Sequence, residues 1–204
     1  MQNYTELNYK IQQIYKYGRD NDYPILLDDS KELLINTLLN SKAVKVLEIG
    51  TCIGYSASCM LCAKQDVQIV TIEKNKDVAQ IAKTNFEDLK LQDRVCLIVD
   101  DAINVITKIN EKFDFIFLDG PKAQYRVYLP YLIDVLNVGG VVFADNVYFK
   151  GFVLKDENEF IPRGIRSIVK NLRLFLKMVK ADERLTSEVV DVGDGVCIIK
   201  KIKE

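Results

Sequence analysis

The sequence predicts an α/β fold: a mostly parallel seven-stranded sheet that ends in a C-terminal antiparallel hairpin, with helices on both faces. Three observations predict it. From Val44 onward, short apolar runs alternate with helix-like segments, the pattern of a parallel sheet covered on both sides. After Asp145 the alternation stops, and the chain closes with two strand-like runs joined by Gly193-Asp-Gly195, a tight-turn signature. The 204 residues, 49% apolar, suffice for one substantial core and contain no linker, repeat or low-complexity stretch. Residues 1–204 therefore read as one domain, a helical cap over 1–42 followed by an α/β core over 43–204.

Tyr4, Leu7, Ile11 and Ile14 recur at helical spacing, so the chain opens with an amphipathic helix over Tyr4–Tyr17. Tyr23-Pro-Ile-Leu-Leu-Asp28 breaks it, and Asp29 or Ser30 can cap a second helix through Leu33, Leu34, Leu38 and Leu39. Strands are expected at Val44–Ile49, Val67–Ile72, Val95–Val99, Phe113–Leu118 and Gly140–Ala144. The helices between them fall at Tyr55–Lys64, Val78–Leu89, Ala102–Asn110 and Tyr125–Leu136. A polar loop, Lys150–Glu159, leads to a helix over Ile161–Val179, and the hairpin strands are Thr186–Asp191 and Val196–Ile202.

Composition narrows the chemistry. The formal net charge is -1, so any contact with nucleic acid must come from a local basic patch. No histidine is present, which removes the commonest general base and any histidine-held zinc. The five cysteines, Cys52, Cys59, Cys62, Cys96 and Cys197, sit inside apolar segments and read as buried free thiols of a reducing compartment. Cys59-x-x-Cys62 has no second pair and reads as core packing. The opening Met1-Gln-Asn-Tyr-Thr-Glu lacks a signal-peptide layout and no apolar run reaches membrane-spanning length, so the expectation is a cytoplasmic protein with no membrane partner.

The stretch Val46-Leu-Glu-Ile-Gly-Thr-Cys-Ile-Gly-Tyr-Ser-Ala57 reads as a strand, a glycine loop and a helix start. Its spacing is Gly50-x-x-x-Gly54 and not G-x-G-x-x-G, which argues against a dinucleotide. Glu48, Glu73 and Asp100-Asp101 end the first three strands and would line one crevice, with Glu73 placed for ribose hydroxyls. Asp119 and Asp145-Asn146 end the fourth and fifth strands, neighbours ~4.8 Å apart. Two carboxylates and an amide oxygen suit a hard divalent ion such as Mg²⁺, although Asp145-Asn146 alone would read as a turn.

Together these motifs resemble the cation-dependent, S-adenosylmethionine-using O-methyltransferases, which include catechol and caffeoyl-CoA O-methyltransferases and share the class I, Rossmann-like methyltransferase layout. The resemblance rests on Pro24-Ile-Leu-Leu-Asp28, Glu48-Ile-Gly-Thr-Cys-Ile-Gly-Tyr-Ser56, Asp119-x-x-Lys122-x-x-Tyr125, Gly139-Gly and Asp145-Asn146-Val147, nearly the whole chain. It is nearest to the bacterial tRNA 5-hydroxyuridine methyltransferases. The resemblance implies Asp119, Asp145 and Asn146 as metal ligands, with Lys122 as general base beside Asp119. Glu48, Gly50, Tyr55 and Ser56 correspond to the methionine end of the cofactor, Glu73 to its ribose, Asp101-Ala102 to its adenine, and Asp119 borders both ligands. Asp100 and Gly120-Pro121 depart from the family pattern. A homodimer is also implied, and the tyrosines of the first helix, Tyr4, Tyr9, Tyr15 and Tyr17, could cover the cofactor or form the contact.

Chelation asks for an acceptor with two vicinal oxygens, which catechols and 5-hydroxyuridine both offer. For the base, burial and a nearby ion are expected to depress the pKa of Lys122. Between Lys150 and Lys180 eight basic residues stand against Asp156, Glu157 and Glu159. Arg163, Arg166, Lys170, Arg173 and Lys177 recur at helical spacing, either a solvated amphipathic face or a track for the phosphates of a tRNA anticodon stem-loop. Lys150, Tyr148, Arg163 and Arg166 are the candidate tRNA contacts. Tyr148, Phe149 and Phe152 could stack on a splayed base or wall a catechol pocket.

Overall fold

The structure, a computed structural model, describes residues 4–156 and 158–204. Met1 and Glu157 of the readings above, and the side chain of Tyr4, lie outside that description. The described chain runs α1 (Tyr4–Asp20), α2 (Asp28–Asn40), β1 (Lys45–Ile49), α3 (Tyr55–Ala63), β2 (Gln68–Glu73), α4 (Lys76–Asp88), β3 (Val95–Val99) and α5 (Ala102–Ile106). It continues with β4 (Phe113–Leu118), a 3₁₀ turn (Lys122–Gln124), α6 (Tyr125–Val135), β5 (Leu136–Ala144), a second 3₁₀ turn (Arg163–Ile165), α7 (Arg166–Ala181), β6 (Leu185–Val190) and β7 (Val196–Lys201).

The seven strands form one sheet in the order β3-β2-β1-β4-β5-β7-β6. β1 to β5 pair in parallel, and β7 joins β5 and β6 antiparallel, as the alternation and the terminal glycine turn predict. Successive strand side chains point to opposite faces. Leu47, Ile116 and Leu118 accordingly pack toward α5, α6 and α7, whereas Val46, Phe115 and Phe117 pack toward α1 to α4. Strand order reverses between β1 and β4, and at such a switch point the loops beyond the carboxyl ends diverge and leave a crevice.

Several element boundaries differ from the sequence expectation, among them α5, which ends at Ile106 where Asn110 was expected. α1 runs on to Asp20. α2 starts at Asp28 behind Leu27 with no side-chain cap, because Asp28 pairs with Lys31 at 2.6 Å and Ser30 is buried. β5 begins at Leu136, where a helix end was expected: an irregularity between Phe113 and Phe115 lets Leu136 pair with Phe113 before the regular register starts. The last helix starts at Arg166 rather than Ile161, since Pro162 and Gly164 interrupt its first turns.

The α6–β5 junction is fixed from the chain terminus. The Lys201 ammonium, on β7 and almost fully buried, donates to the carbonyls of Ile133 (3.1 Å) and Leu136 (3.0 Å) and pairs with Glu204 at 2.7 Å. It adds a buried donor to two carbonyls at the end of α6, of which that of Ile133 also accepts the Leu136 N–H. Lys201→Met should keep the packing volume but remove the buried donor that both carbonyls share, lowering stability by about 1–3 kcal/mol in urea unfolding.

Candidate active site

At the switch point lies a cavity of about 620 Å³. Its floor comes from the strand ends, and its outer wall from Tyr23–Leu27 and Ser30 of the cap. The floor depends on one close approach. Gly50 follows β1 with φ +101°, a conformation that disfavours side chains, and a Cβ built there would lie 2.5 Å from the Asp119 carbonyl oxygen. The backbone stitches the same place: Asp119 N–H donates to Ile49 at 3.0 Å, Gly50 N–H to Ile72 at 3.1 Å, and Asp145 N–H to Leu118 at 3.1 Å. The ends of β1, β2, β4 and β5 are thereby fixed to one another.

Eight of the predicted residues line this cavity: Gly50, Glu73, Asp101, Ala102, Asp119, Lys122, Asp145 and Asn146. Glu73 accepts the backbone N–H groups of Asn75 (2.9 Å) and Cys52 (3.0 Å), so its carboxylate is oriented and keeps lone pairs for a diol. Asp101 caps α5 by accepting Ile103 N–H, and its other oxygen stands 3.7 Å from Lys74. Asp100 accepts the side-chain amide of Asn104 and the N–H of Asp101, and these bonds hold its carboxyl below the ordinary aspartate value.

At the opposite end, Lys122 stands between Asp119 Oδ1 (2.5 Å) and the Tyr125 hydroxyl (3.0 Å). Tyr125, fully buried, donates in turn to the carbonyls of Leu118 (2.8 Å) and Asp145 (3.1 Å), bridging the ends of β4 and β5. Its ring meets Phe175 of α7 edge-on at 5.5 Å. Sequence reading saw Tyr125 only as a motif position; its bridging role depends on which strands are neighbours. The expected depression of Lys122 is not found. Burial pulls its pKa down, but the Asp119 charge and the Tyr125 oxygen outweigh burial and hold the ammonium above the ordinary lysine value. Asp145 is raised to about 6 by burial and by the neighbouring Asp119 charge.

Three predicted cofactor residues do not reach the cavity surface. Glu48 has no exposed surface and accepts the hydroxyls of Ser56 (2.5 Å) and Thr71, so it ties α3 and β2 to β1 beneath the floor. Ser56 is spent on that bond, and Tyr55 packs its ring against Tyr15 of α1 at 5.4 Å. Of the α1 tyrosines, Tyr9 and Tyr17 are exposed, and the cap reaches the cavity instead through Tyr23–Leu27. The tRNA candidates Tyr148, Lys150, Arg163 and Arg166 also lie outside the cavity wall. Tyr148 packs on the hairpin turn, whereas Arg163 and Arg166 are exposed. Arg173 leaves the predicted basic face, because its guanidinium donates to the carbonyls of Phe152, Val153 and Lys155 and clamps the loop. Sequence reading did not assign Asp194, Tyr128 or Ser30 to the wall; strand order and hairpin packing bring them there.

The donor set Asp119, Asp145 and Asn146 is all oxygen, as a hard divalent cation requires. Among the described residues no group of three or more His, Cys, Asp or Glu side chains is placed to hold a metal, so water and acceptor oxygens would complete the coordination.

A family model described as O-methyltransferase matches residues 21–202. The chain is similar to a caffeoyl-CoA O-methyltransferase of Populus kitakamiensis, 27% identical over 194 residues, covering 92% of this chain and 82% of that one. A Staphylococcus aureus structure, provisionally assigned as a caffeoyl-CoA O-methyltransferase, superimposes with TM-score 0.87 at 27% identity, covering 94% of this chain and 91% of that one. The SAH-bound Podospora anserina methyltransferase PaMTH1 gives TM-score 0.84 at 25% identity, covering 96% and 88%.

Burial raises the Glu48 carboxyl to about 7, against the two hydroxyl bonds that lower it. Its folded pKa exceeds the unfolded value of 4.5. The associated stability is therefore complete below pH 4.5 and is lost as pH rises through about 7. Between pH 5 and 8 the wild type should lose on the order of 2–3 kcal/mol more than Glu48→Gln, measured by denaturant unfolding at each pH.

Proposed function

Because the chain belongs to the O-methyltransferase family, we propose that it moves the methyl group of S-adenosylmethionine onto one of two vicinal oxygens of an acceptor, with a divalent cation such as Mg²⁺. The observation that carries this reading is the single cavity with Glu73 and Asp101 at one end and Asp119, Lys122, Asp145 and Asn146 at the other. Glu73 and Asp101 hold the ribose and adenosine side of the donor, and Gly50 on the cavity wall borders its methionine part, which runs toward Asp119. Asp119, Asp145 and Asn146 would hold the cation, which would supply Lewis acidity to a coordinated hydroxyl and would offset the Asp119 charge that keeps Lys122 protonated. Lys122, kept in place by the Tyr125 hydroxyl, is then the group that accepts the acceptor's proton.

For the acceptor we favour 5-hydroxyuridine at the tRNA wobble position, methylated on O5 to 5-methoxyuridine. Its O5 hydroxyl and O4 carbonyl are the vicinal pair. α7 packs against the 3₁₀ turn that carries Lys122 and places exposed Arg163, Arg166 and Lys170 at and before its first turns, with Phe160 74% exposed just ahead of them. That combination of basic side chains and an open aromatic suits a nucleic-acid backbone and an unstacked base. A small catechol-like or caffeoyl-CoA-like acceptor is the second reading, supported by the names of the relatives.

Lys122→Ala and Asp145→Ala should each abolish methyl transfer while leaving the circular dichroism spectrum intact; near-normal turnover in either removes the assignment. Incubation of hypomodified tRNA with the protein, S-adenosylmethionine and Mg²⁺ should yield 5-methoxyuridine by nucleoside mass spectrometry. Methylation of a free catechol but never of tRNA would select the second reading.

A further inference from the structure

The loop that leaves β5 is held in an unusual backbone state. Asn146, Phe149 and Lys150 have φ of +55°, +48° and +56°, the left-handed region that non-glycine residues rarely adopt and keep only when their surroundings impose it. What imposes it is the turn between β6 and β7. Val147 N–H donates to Gly195 at 2.9 Å and Tyr148 N–H to the Asp194 carbonyl at 2.9 Å. Both carboxylate oxygens of Asp194 lie 2.7 Å from the Lys150 N–H. Gly195 leaves room for this: a Cβ there would enter the Tyr148 ring. On its other side the turn abuts the cap, where a Cβ on Gly193 would strike the Ser30 hydroxyl.

Asp194 is thus the one side chain of the turn that both lines the cavity and accepts from the loop. Lys150 N–H is the last of the three loop amides bound to the turn, four residues beyond the proposed ligand Asn146. The structure gives Asp194 no ion pair with any lysine or arginine among the described residues, so the loop amide is its principal partner.

We propose that Asp194 is a positioning residue for the acceptor end of the site: by holding the Lys150 amide it fixes the left-handed path from Asn146 to Lys150, and with it the Asn146 side chain and the adjoining wall. This rests on the reading of Asp145-Asn146 as the acceptor end. The donor end, at Glu73 on β2 and Asp101 at the N-cap of α5, makes no hydrogen bond to this loop and should be untouched.

The test compares Asp194→Ala with Asp194→Asn, which keeps one carbonyl acceptor for the amide. In Asp194→Ala, exchange of the Lys150 amide should accelerate about 100-fold and the Asn146 side-chain amide resonance should shift. S-adenosylmethionine affinity by calorimetry should stay within about twofold, while KM for hypomodified tRNA or for free catechol, whichever the wild type methylates, rises about tenfold. Asp194→Asn should restore most of the protection and of KM. Unchanged exchange at Lys150 in Asp194→Ala, or equal weakening of donor and acceptor, overturns the proposal. A wild type that methylates neither probe overturns the functional reading instead, and the exchange and resonance data still decide the role of Asp194.

Discussion

Everything at the cavity depends on how closely the end of β1 approaches the end of β4. Gly50 can pass against the Asp119 carbonyl only because it lacks a side chain and accepts a positive φ. That contact fixes the spacing of the two strands on either side of the point where strand order reverses. Once it is made, the β2 acid falls on one side of the crevice and the β4 and β5 acids on the other. Two groups of acids facing one crevice follow from one backbone junction.

The cavity that results is acidic. Glu73, Asp100, Asp101, Asp119, Asp145 and Asp194 line it against only Lys74 and Lys122, and Glu48 lies buried beneath. Burial and then the neighbouring Asp119 charge raise Asp145, while the same Asp119 charge keeps Lys122 charged. An arrangement of this sign favours cationic ligands over anionic ones. Stability given up at such a site is regained in the two apolar layers that sandwich the sheet.

The outer wall is built from segments far apart in sequence. The cap residues after α1, the β6–β7 turn and the loop after β5 meet through Ser30, Gly193, Asp194, Gly195 and Tyr148. Arg173 holds the far part of the same loop through three carbonyls. The aromatic residues after Asn146 are therefore packed against the core outside the cavity wall, and the open aromatic of this region is Phe160.

The amino-acid sequence by itself determined the sheet, its hairpin and the strand-end acids, because apolar periodicity and glycine turns are local signals and a strand's carboxyl end is where its acid must lie. Gly50, Glu73, Asp101, Asp119, Asp145 and Asn146 were legible for that reason, and Lys122 only through the motif Asp119-x-x-Lys122-x-x-Tyr125 that carries the family resemblance. Only the tertiary structure decided that Glu48 and Ser56 serve each other below the floor and that Tyr125 bridges two strands. The same holds for Arg173 as a clamp and for Asp194 on the cavity wall. Each of these roles belongs to a pair of residues on different elements. Which partner satisfies a buried donor or acceptor is fixed by packing, and sequence spacing carries no record of it.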